Sequence, residues 1–449
     1  MRMPGSAYRK NVATVLAGAT GAQALPVLVA PLLTRLCTPA DMGSFSLWLG
    51  VIAVASIAAT LRMEAAMVLD NSEHQQGLCF SVVASSATLL AVALTLCVAA
   101  ARALGLPAVG ALSWFELLTL GMGTWLTAYM QLALAYAASH NLFAKAATAK
   151  ILQGGTIALC QLALLYAGLD GAGLLLGQLL GLAAGLAAAC ILLAPPMARL
   201  RLVFDQEQRA YLVKHRAFWR YSLPSSLLSA LVSQLPLLLT GFHHGVLAAG
   251  LFALTQRVLN APIALIGSSV LEVFKRQAVH EFQSAGHCLD AYRATFRTLL
   301  LLALGPSLIL FLFSPQLFSW MFGAQWRPAG ELARILAPLY FLNFLASPLS
   351  YVFFVAGRQK MELCWQVVLF LMTVAVFSAP CSLRQSLMAY AAGRSGLYLV
   401  YLYMSYGCAR NAGSRRMAYA RGPDRLRAGS AAGAPFTLPA DRDSCRPRQ

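Results

Sequence analysis

Acidic side chains are scarce in this chain: 16 Asp and Glu stand against 34 Lys and Arg in 449 residues. None lies in the middle of an apolar run, because Glu64, Glu116, Glu272, Glu331 and Glu362 all fall near the ends of such runs. Paired carboxylates for acid/base work are missing, and so is a mid-membrane acid that would carry protons or hold a cationic drug. Charge of either sign is low, at 11% of residues, against about 25% in soluble domains. The ten cysteines form no CxxC pair, which leaves no zinc site or disulfide framework. Cys37 and Cys381 alone fall near one face, and nothing in the sequence brings them together. No Walker loop, nucleotide fingerprint or nucleophile elbow occurs, so ATP-driven pumping and covalent catalysis have no supporting residues. The adjacent His243 and His244 lack further ligands. No cofactor or metal is expected.

What fills the sequence is apolar material, 59% of all residues, in runs of membrane-spanning length. Twelve such runs predict an all-α polytopic membrane protein. Lipid satisfies no backbone polar groups, and the runs are too long and unbroken for barrel strands. Most of the 34 Lys and Arg fall in alternate connections, whereas the opposite loops hold only Arg35, Arg102, Arg327 and Arg384. Positive residues are retained in the cytoplasm, so both termini are predicted to be cytoplasmic. Trp114, Trp219, Trp320, Trp326 and Trp365 sit at predicted span ends, where amphipathic rings prefer the interface. The start MRMPGSAYRK leads into a run read as a first span rather than as a cleaved leader. The net charge of +18 is then a retention signal and an attraction to anionic lipid head groups, with no nucleic-acid partner implied.

The basic interruption at 195–217 divides the spans into six and six: a first lobe at 1–194, a second at 218–407, and a basic cytoplasmic tail at 408–449 predicted to be disordered. GSFSLW (43–48) and GLFALT (250–255) occupy the same place in the two halves, which predicts a parallel repeat about a pseudo-two-fold axis with a site between the lobes. Pro26 and Pro31 in span 1, and Pro224 and Pro236 in span 7, predict bends. Glycines 173, 177, 181 and 185 fall on one helix face and predict close packing of a neighbour. The outer connections are short, with no room for a folded outer domain.

Arg257 lies well inside the run 246–271, and Arg394 well inside 386–407. A cation at bilayer centre costs about 2.5–3.5 kcal/mol on insertion scales, so each is a functional candidate. Neither has an acid at similar depth, and guanidinium grips phosphate oxygens in bidentate fashion. The pair therefore favours an anionic ligand over a cation, although a structural arginine bonded to freed carbonyls stays open for both. Gln256 and Asn260 add polar groups beside Arg257, and Asn260 shares its face. Gln23, Gln131, Gln234 and Asn343 are further polar positions within spans, readable as interhelical hydrogen bonds or as ligand contacts.

The stretches AQALPVLVAPLLTRLCTPADMGSFSLW, LRMEAAMVL (61–69), GLFALTQRVLNAPIALIGSSVLEVF (250–274) and FGAQWRPAGELARILAPLYFLNFLASPLS (322–350) resemble the bacterial polysaccharide flippases. These O-antigen-type proteins belong to the multidrug/oligosaccharidyl-lipid/polysaccharide exporter superfamily. The resemblance implies a cationic cavity between two six-helix lobes and an inner-membrane location. It further implies alternating access that carries a polyprenyl-diphosphate-linked oligosaccharide outward for lipopolysaccharide or exopolysaccharide synthesis. It implies a monomer working beside a polysaccharide polymerase and chain-length machinery. Arg62 and Glu64 match the family's Leu-Arg-aromatic-Glu pattern, with Met63 in place of the aromatic. The substrate set is then Arg257, Arg394, Asn260, Gln256, Arg62, Gln23 and Gln234. Energy would come from the membrane potential or through a carboxylate at a span end, Glu64 or Glu272. A drug exporter of the same superfamily, and a membrane polymerase or ligase, are the alternatives.

Overall fold

The computed structural model describes residues 29–70, 72–105, 113–194 and 205–411. Helices follow one another through short turns, with no strand among the described residues: α1 (29–36), α2 (Pro39–Thr60), α3 (Met63–Met67), α4 (Glu73–Ala103), α5 (Trp114–Ser139), α6 (Phe143–Tyr166), α7 (Asp170–Leu193), α8 (Gln206–Lys214), α9 (Leu223–Pro262), α10 (Ser268–Ala285), α11 (Leu289–Phe322), α12 (Arg327–Leu349), α13 (Val352–Val355), α14 (Gln359–Ser378) and α15 (Leu383–Asn411). Nine segments among the described residues are long and apolar enough to cross a membrane, and this is a multi-pass membrane protein. One of the nine, Phe218–Ala285, is two arms, because Gly245 (φ 85, ψ 171) breaks α9. Glycine takes that backbone without a Cβ clash. Most of the first predicted span, the segment 195–204 and the tail from 412 lie outside the described residues, and Gln23 and Pro26 with them.

The helices pack as two bundles. In the first, α6 lies against α7, α4 against α5, and α5 against α7 and α2; in the second, α12 lies against α11, α15 and α9, and α9 against α14. The glycine stripe of α7 does what its spacing predicts. A Cβ at Gly177 would stand 2.6 Å from Gln161, and one at Gly185 2.6 Å from Gln153, so α6 approaches to backbone contact.

Between bundles the principal contact is α2 against α9. Gly43 and Gly250 face each other there: a Cβ on Gly43 would fall on the carbonyl of Val246, and one on Gly250 on the carbonyl of Pro39. Each glycine meets the residue four positions before the other. This reciprocity places the pseudo-two-fold axis at the crossing, and it explains why the two halves keep glycine at the head of GSFSLW and GLFALT. Further side chains close the same end. Trp326 Nε1 donates to the Thr34 carbonyl at 2.8 Å, and Gln325 Nε2 donates to the carbonyls of Thr34 and Cys37 at 3.0 and 3.1 Å. Arg35 donates to the Trp320 carbonyl at 3.0 Å. The last turn of α1, whose carbonyls have no intrahelical donor, is thus capped by the other bundle.

Several expectations need correction. Trp326 is fully buried in this clasp, and Trp365 (7% exposed) lies against Tyr398 and Tyr401, so neither is an interfacial ring. Trp114, Trp219 and Trp320 are exposed, as interfacial rings should be. Span-end position fixes height along a helix but not the face. Pro224 directly follows a π-helical turn, Phe218–Ser222, that runs on into α9, so the helical ladder is disturbed where its amide is missing. The sharper departures are Gly245 and a π-helical turn, Ile263–Gly267, directly after Pro262, whose missing amide leaves the Val258 carbonyl without its helical donor. The basic segment 195–217 also contains a docked helix. Tyr211 of α8 is buried and donates to Asp70 Oδ2 at 2.5 Å, with His215 Nε2 3.3 Å and Lys214 Nζ 3.6 Å from Oδ1 of the same carboxylate.

Candidate functional site

The second arm of α9, after Gly245, carries Ala253, Gln256, Arg257 and Asn260 at the three- and four-residue steps of one helix face. That face lines a cavity of ≈ 550 Å³ between the bundles. Opposite it stand Ser46 and Gly50 of α2, Gln161 of α6 and Gln178 of α7, while Gln234 enters from the first arm of α9. Gly50 makes the room: a Cβ there would lie 3.4 Å from Gln234 Oε1. The cavity stops short of the Gly43–Gly250 crossing, which with the α1 clasp seals one end. The structure thus brings together Arg257, Gln256, Asn260 and Gln234.

Arg257 makes no ion pair or hydrogen bond among the described residues, and no carboxylate lines its cavity. Such a group in a partly open, amide-lined space attracts an anion, and its fork suits phosphate or carboxylate oxygens.

Arg394 lines a different cavity, ≈ 430 Å³, within the second bundle between α9, α12, α14 and α15. Its guanidinium donates to the hydroxyls of Tyr390 and, at 3.4 Å, Tyr398, with its carbon 5.5 and 5.7 Å from the two ring centroids. The tyrosines sit at i−4 and i+4 on α15, so the helix itself builds the cradle. Glu362, which falls at the end of an apolar run in the sequence, shares this cavity with Arg394, so the expectation that no acid lies near that arginine is corrected. Its Oε2 accepts from Tyr401 at 2.6 Å and its Oε1 from Gln366 at 3.1 Å. Gln256 and Asn260 line both cavities, so the two spaces meet along α9.

The remaining candidates lie elsewhere. Arg62 Nη1 pairs with Glu64 Oε1 at 2.9 Å in the α2–α3 turn, where Arg62 holds φ 60, and Arg62 Nε and Glu64 Oε2 are buried without a hydrogen-bond partner among the described residues. Glu272 pairs with Lys275 at 2.7 Å on the exposed side of α10. None of the four lines either cavity. Gln131 donates to Ser56 Oγ at 3.3 Å, an interhelical bond. The sequence reading passed over Gln161, Gln178 and the aromatic wall of the second cavity. The Tyr-x₃-Arg-x₃-Tyr spacing at 390–398 was the signal available.

The chain matches the model of a family described as polysaccharide biosynthesis protein over residues 32–331. No curated protein sequence matches it. Among solved structures it is similar to the lipid II flippase MurJ in an inward closed conformation, with a TM-score of 0.67 and 11% identity over 92% of each chain. An inward-facing multidrug resistance MATE family transporter of the MOP superfamily gives 0.56 and 14% over 93% of this chain and 96% of that one. A MOP superfamily transporter from Pyrococcus furiosus, described by the reverse polarity of its binding pocket, gives 0.53 and 14% over 90% and 96%. These likenesses are of fold: two bundles around a central cavity. The family match runs from within α1 through both halves of the central cavity to the start of α12, well over half of the chain, and the chain belongs to the polysaccharide biosynthesis protein family.

Proposed function

We propose that this protein is a membrane translocase that moves a polyprenyl-diphosphate-linked oligosaccharide from the cytoplasmic to the outer leaflet by alternating access. The observation that carries the reading is the unpaired Arg257 on the wall of a cavity between two bundles that are clasped at one end. Lys and Arg alternation assigns the clasped end to the outside, so the cavity corresponds to an inward-open state. The diphosphate sits on Arg257, with Gln256, Gln234 and Asn260 supplying neutral donors, and the lipid tail stays in the bilayer between bundles. Family membership and the likeness to a lipid II flippase support this reading.

The test is complementation of a deletion strain in the native host. Arg257→Glu is expected to insert at normal levels, to abolish polymer export and to leave the lipid-linked precursor accumulating. Mass spectrometry of that precursor would also identify the sugar. Normal export by Arg257→Glu sinks the assignment. One observation favours a drug exporter of the same superfamily, namely Glu362 in the second cavity. Saturable binding of a cationic dye to purified protein, lost in Glu362→Gln, would support that reading instead.

A further inference from the structure

The cavity around Arg394 differs in chemistry from the one around Arg257. Its charges balance, one guanidinium against the carboxylate of Glu362, whereas Arg257 stands alone in its own. A diphosphate therefore gains nothing by entering it. Its wall is aromatic: the Trp365 ring lies 4.6 Å from that of Tyr401 and 6.1 Å from that of Tyr398. Around this wall stand amides with capacity to spare. Asn343 and Asn260 make no side-chain hydrogen bond among the described residues, and Gln366 spends one N–H on Glu362 and keeps its carbonyl. Each oxygen of Glu362 accepts one bond, which leaves lone pairs for further donors.

We propose that this second-bundle cavity is a glycan subsite that holds a pyranoside unit of the translocated head group, bordered by the edge of Trp365 and hydrogen-bonded by Asn343, Gln366 and Glu362. A pyranose presents a face of C–H bonds and a rim of hydroxyls, each both donor and acceptor. Aromatic edges beside amides and a carboxylate answer both demands. The volume of ≈ 430 Å³ falls within the roughly 300–1,000 Å³ of small-molecule sites. Gln256 and Asn260 border both cavities, so a diphosphate on Arg257 delivers its attached sugars across α9 into this space. The Tyr390–Arg394–Tyr398 cradle keeps the guanidinium engaged and the charge local. The proposal rests on the transport reading above.

The experiment is photo-crosslinking of the full chain in native-host membranes, with benzoylphenylalanine placed singly at position 347 in the second cavity, position 46 in the central cavity, or position 371 on the exposed face of α14. Captured lipids are released and analysed for glycan. Glycan-bearing lipid is expected at 347 and 46 but not at 371. Trp365→Ala is expected to lower capture at 347 by about tenfold while capture at 46 persists, which also reports that the variant is folded. Glycan at 46 without glycan at 347, or phospholipid alone at 347, overturns the subsite and leaves the translocase standing. Absence of glycan at both cavities overturns both.

Discussion

Arg257, Arg394 and Asp70 are charges withdrawn from bulk water, and their surroundings assign them different work. Arg394 is tied to two tyrosine hydroxyls, whereas Arg257, which lies near the Cys37 thiol, makes no hydrogen bond or ion pair among the described residues, so only the latter keeps its donor fork uncommitted. Asp70 is satisfied by the docked linker helix and serves structure. Burial, together with the neighbouring Cys79 and Asp70, pushes the Tyr211 phenol far above its ordinary value. Tyr211 therefore remains a donor to Asp70 throughout the working pH range. A hydrogen bond to a charged group contributes roughly 1.5–3 kcal/mol. Tyr211→Phe is expected to lower stability at neutral pH by about that amount, read as a fall in melting temperature of the purified protein. The sign with pH follows from the raised folded-state value. The neutral phenol is favoured by folding, so its contribution is complete below the unfolded value of about 10 and is lost as pH rises above it. The gap between wild type and Tyr211→Phe should therefore narrow above pH of about 10. A gap that widens there contradicts the assignment of Tyr211 as donor.

At the scale of elements, apolar runs mark helices because a span must be both long and apolar: the run at 77–100 lies inside α4, and those at 148–168 and 171–194 coincide with α6 and α7 to within five residues at the start and two at the end. They do not mark where a helix ends beyond the lipid. The run 246–271 stops at a predicted membrane boundary, yet the chain continues through the π-turn into α10 as far as Ala285, because polar helix carries no hydropathy signal. The site divides the same way. Arg257, Gln256, Asn260 and Gln234 are legible because polar atoms in apolar helices are costly. The Tyr398–Tyr401–Trp365 wall is not, since aromatic residues in a span read as ordinary packing. Glu362 escapes because it sits in the first turn of α14, and only the packing of α14 against α9 turns it into a cavity. The most legible element is the glycine face of α7, and it carries a direct prediction. Gly181→Val places branched carbons where Ile157 of α6 already packs. Overpacking of this kind costs about 1–3 kcal/mol. A lower melting temperature and yield are expected for Gly181→Val, while Gly155→Ala, with nothing within 4 Å of its Cβ, should match wild type. Equal loss in both variants would contradict packing as the cause, because alanine and valine both exceed glycine in helix propensity and neither loss could come from that source.

At the scale of the whole molecule, the proposed alternating access would require the sealed end to open, and the seal has two parts of different character. The Gly43–Gly250 crossing is backbone against backbone and can act as a pivot, whereas the clasp of Gln325, Trp326 and Arg35 is side chain to carbonyl and must break. Each neutral hydrogen bond contributes about 0.5–1.5 kcal/mol, so losing one shifts the open-to-closed ratio by about 2- to 13-fold. Cys37 is a native reporter of this event: it is 2% exposed, and its carbonyl is one of those held by Gln325. In a Cys381→Ser background, Trp326→Phe and Gln325→Ala are expected to speed labelling of Cys37 by a membrane-impermeant maleimide added from outside. The double variant should exceed either single one, because both act on the same two-state equilibrium. A cysteine pair at positions 34 and 325, made with Cys37→Ala, should arrest export when oxidised and restore it on reduction. Accelerated labelling with export unchanged by the oxidised pair would show that the clasp breathes without gating transport, and opening would then have to run through the α2–α9 crossing itself. Unchanged labelling in all variants would place the seal in the glycine contact alone. That result would predict arrest by Gly43→Val, whose branched carbons would fall on the Val246 carbonyl and force the two helices apart at the axis.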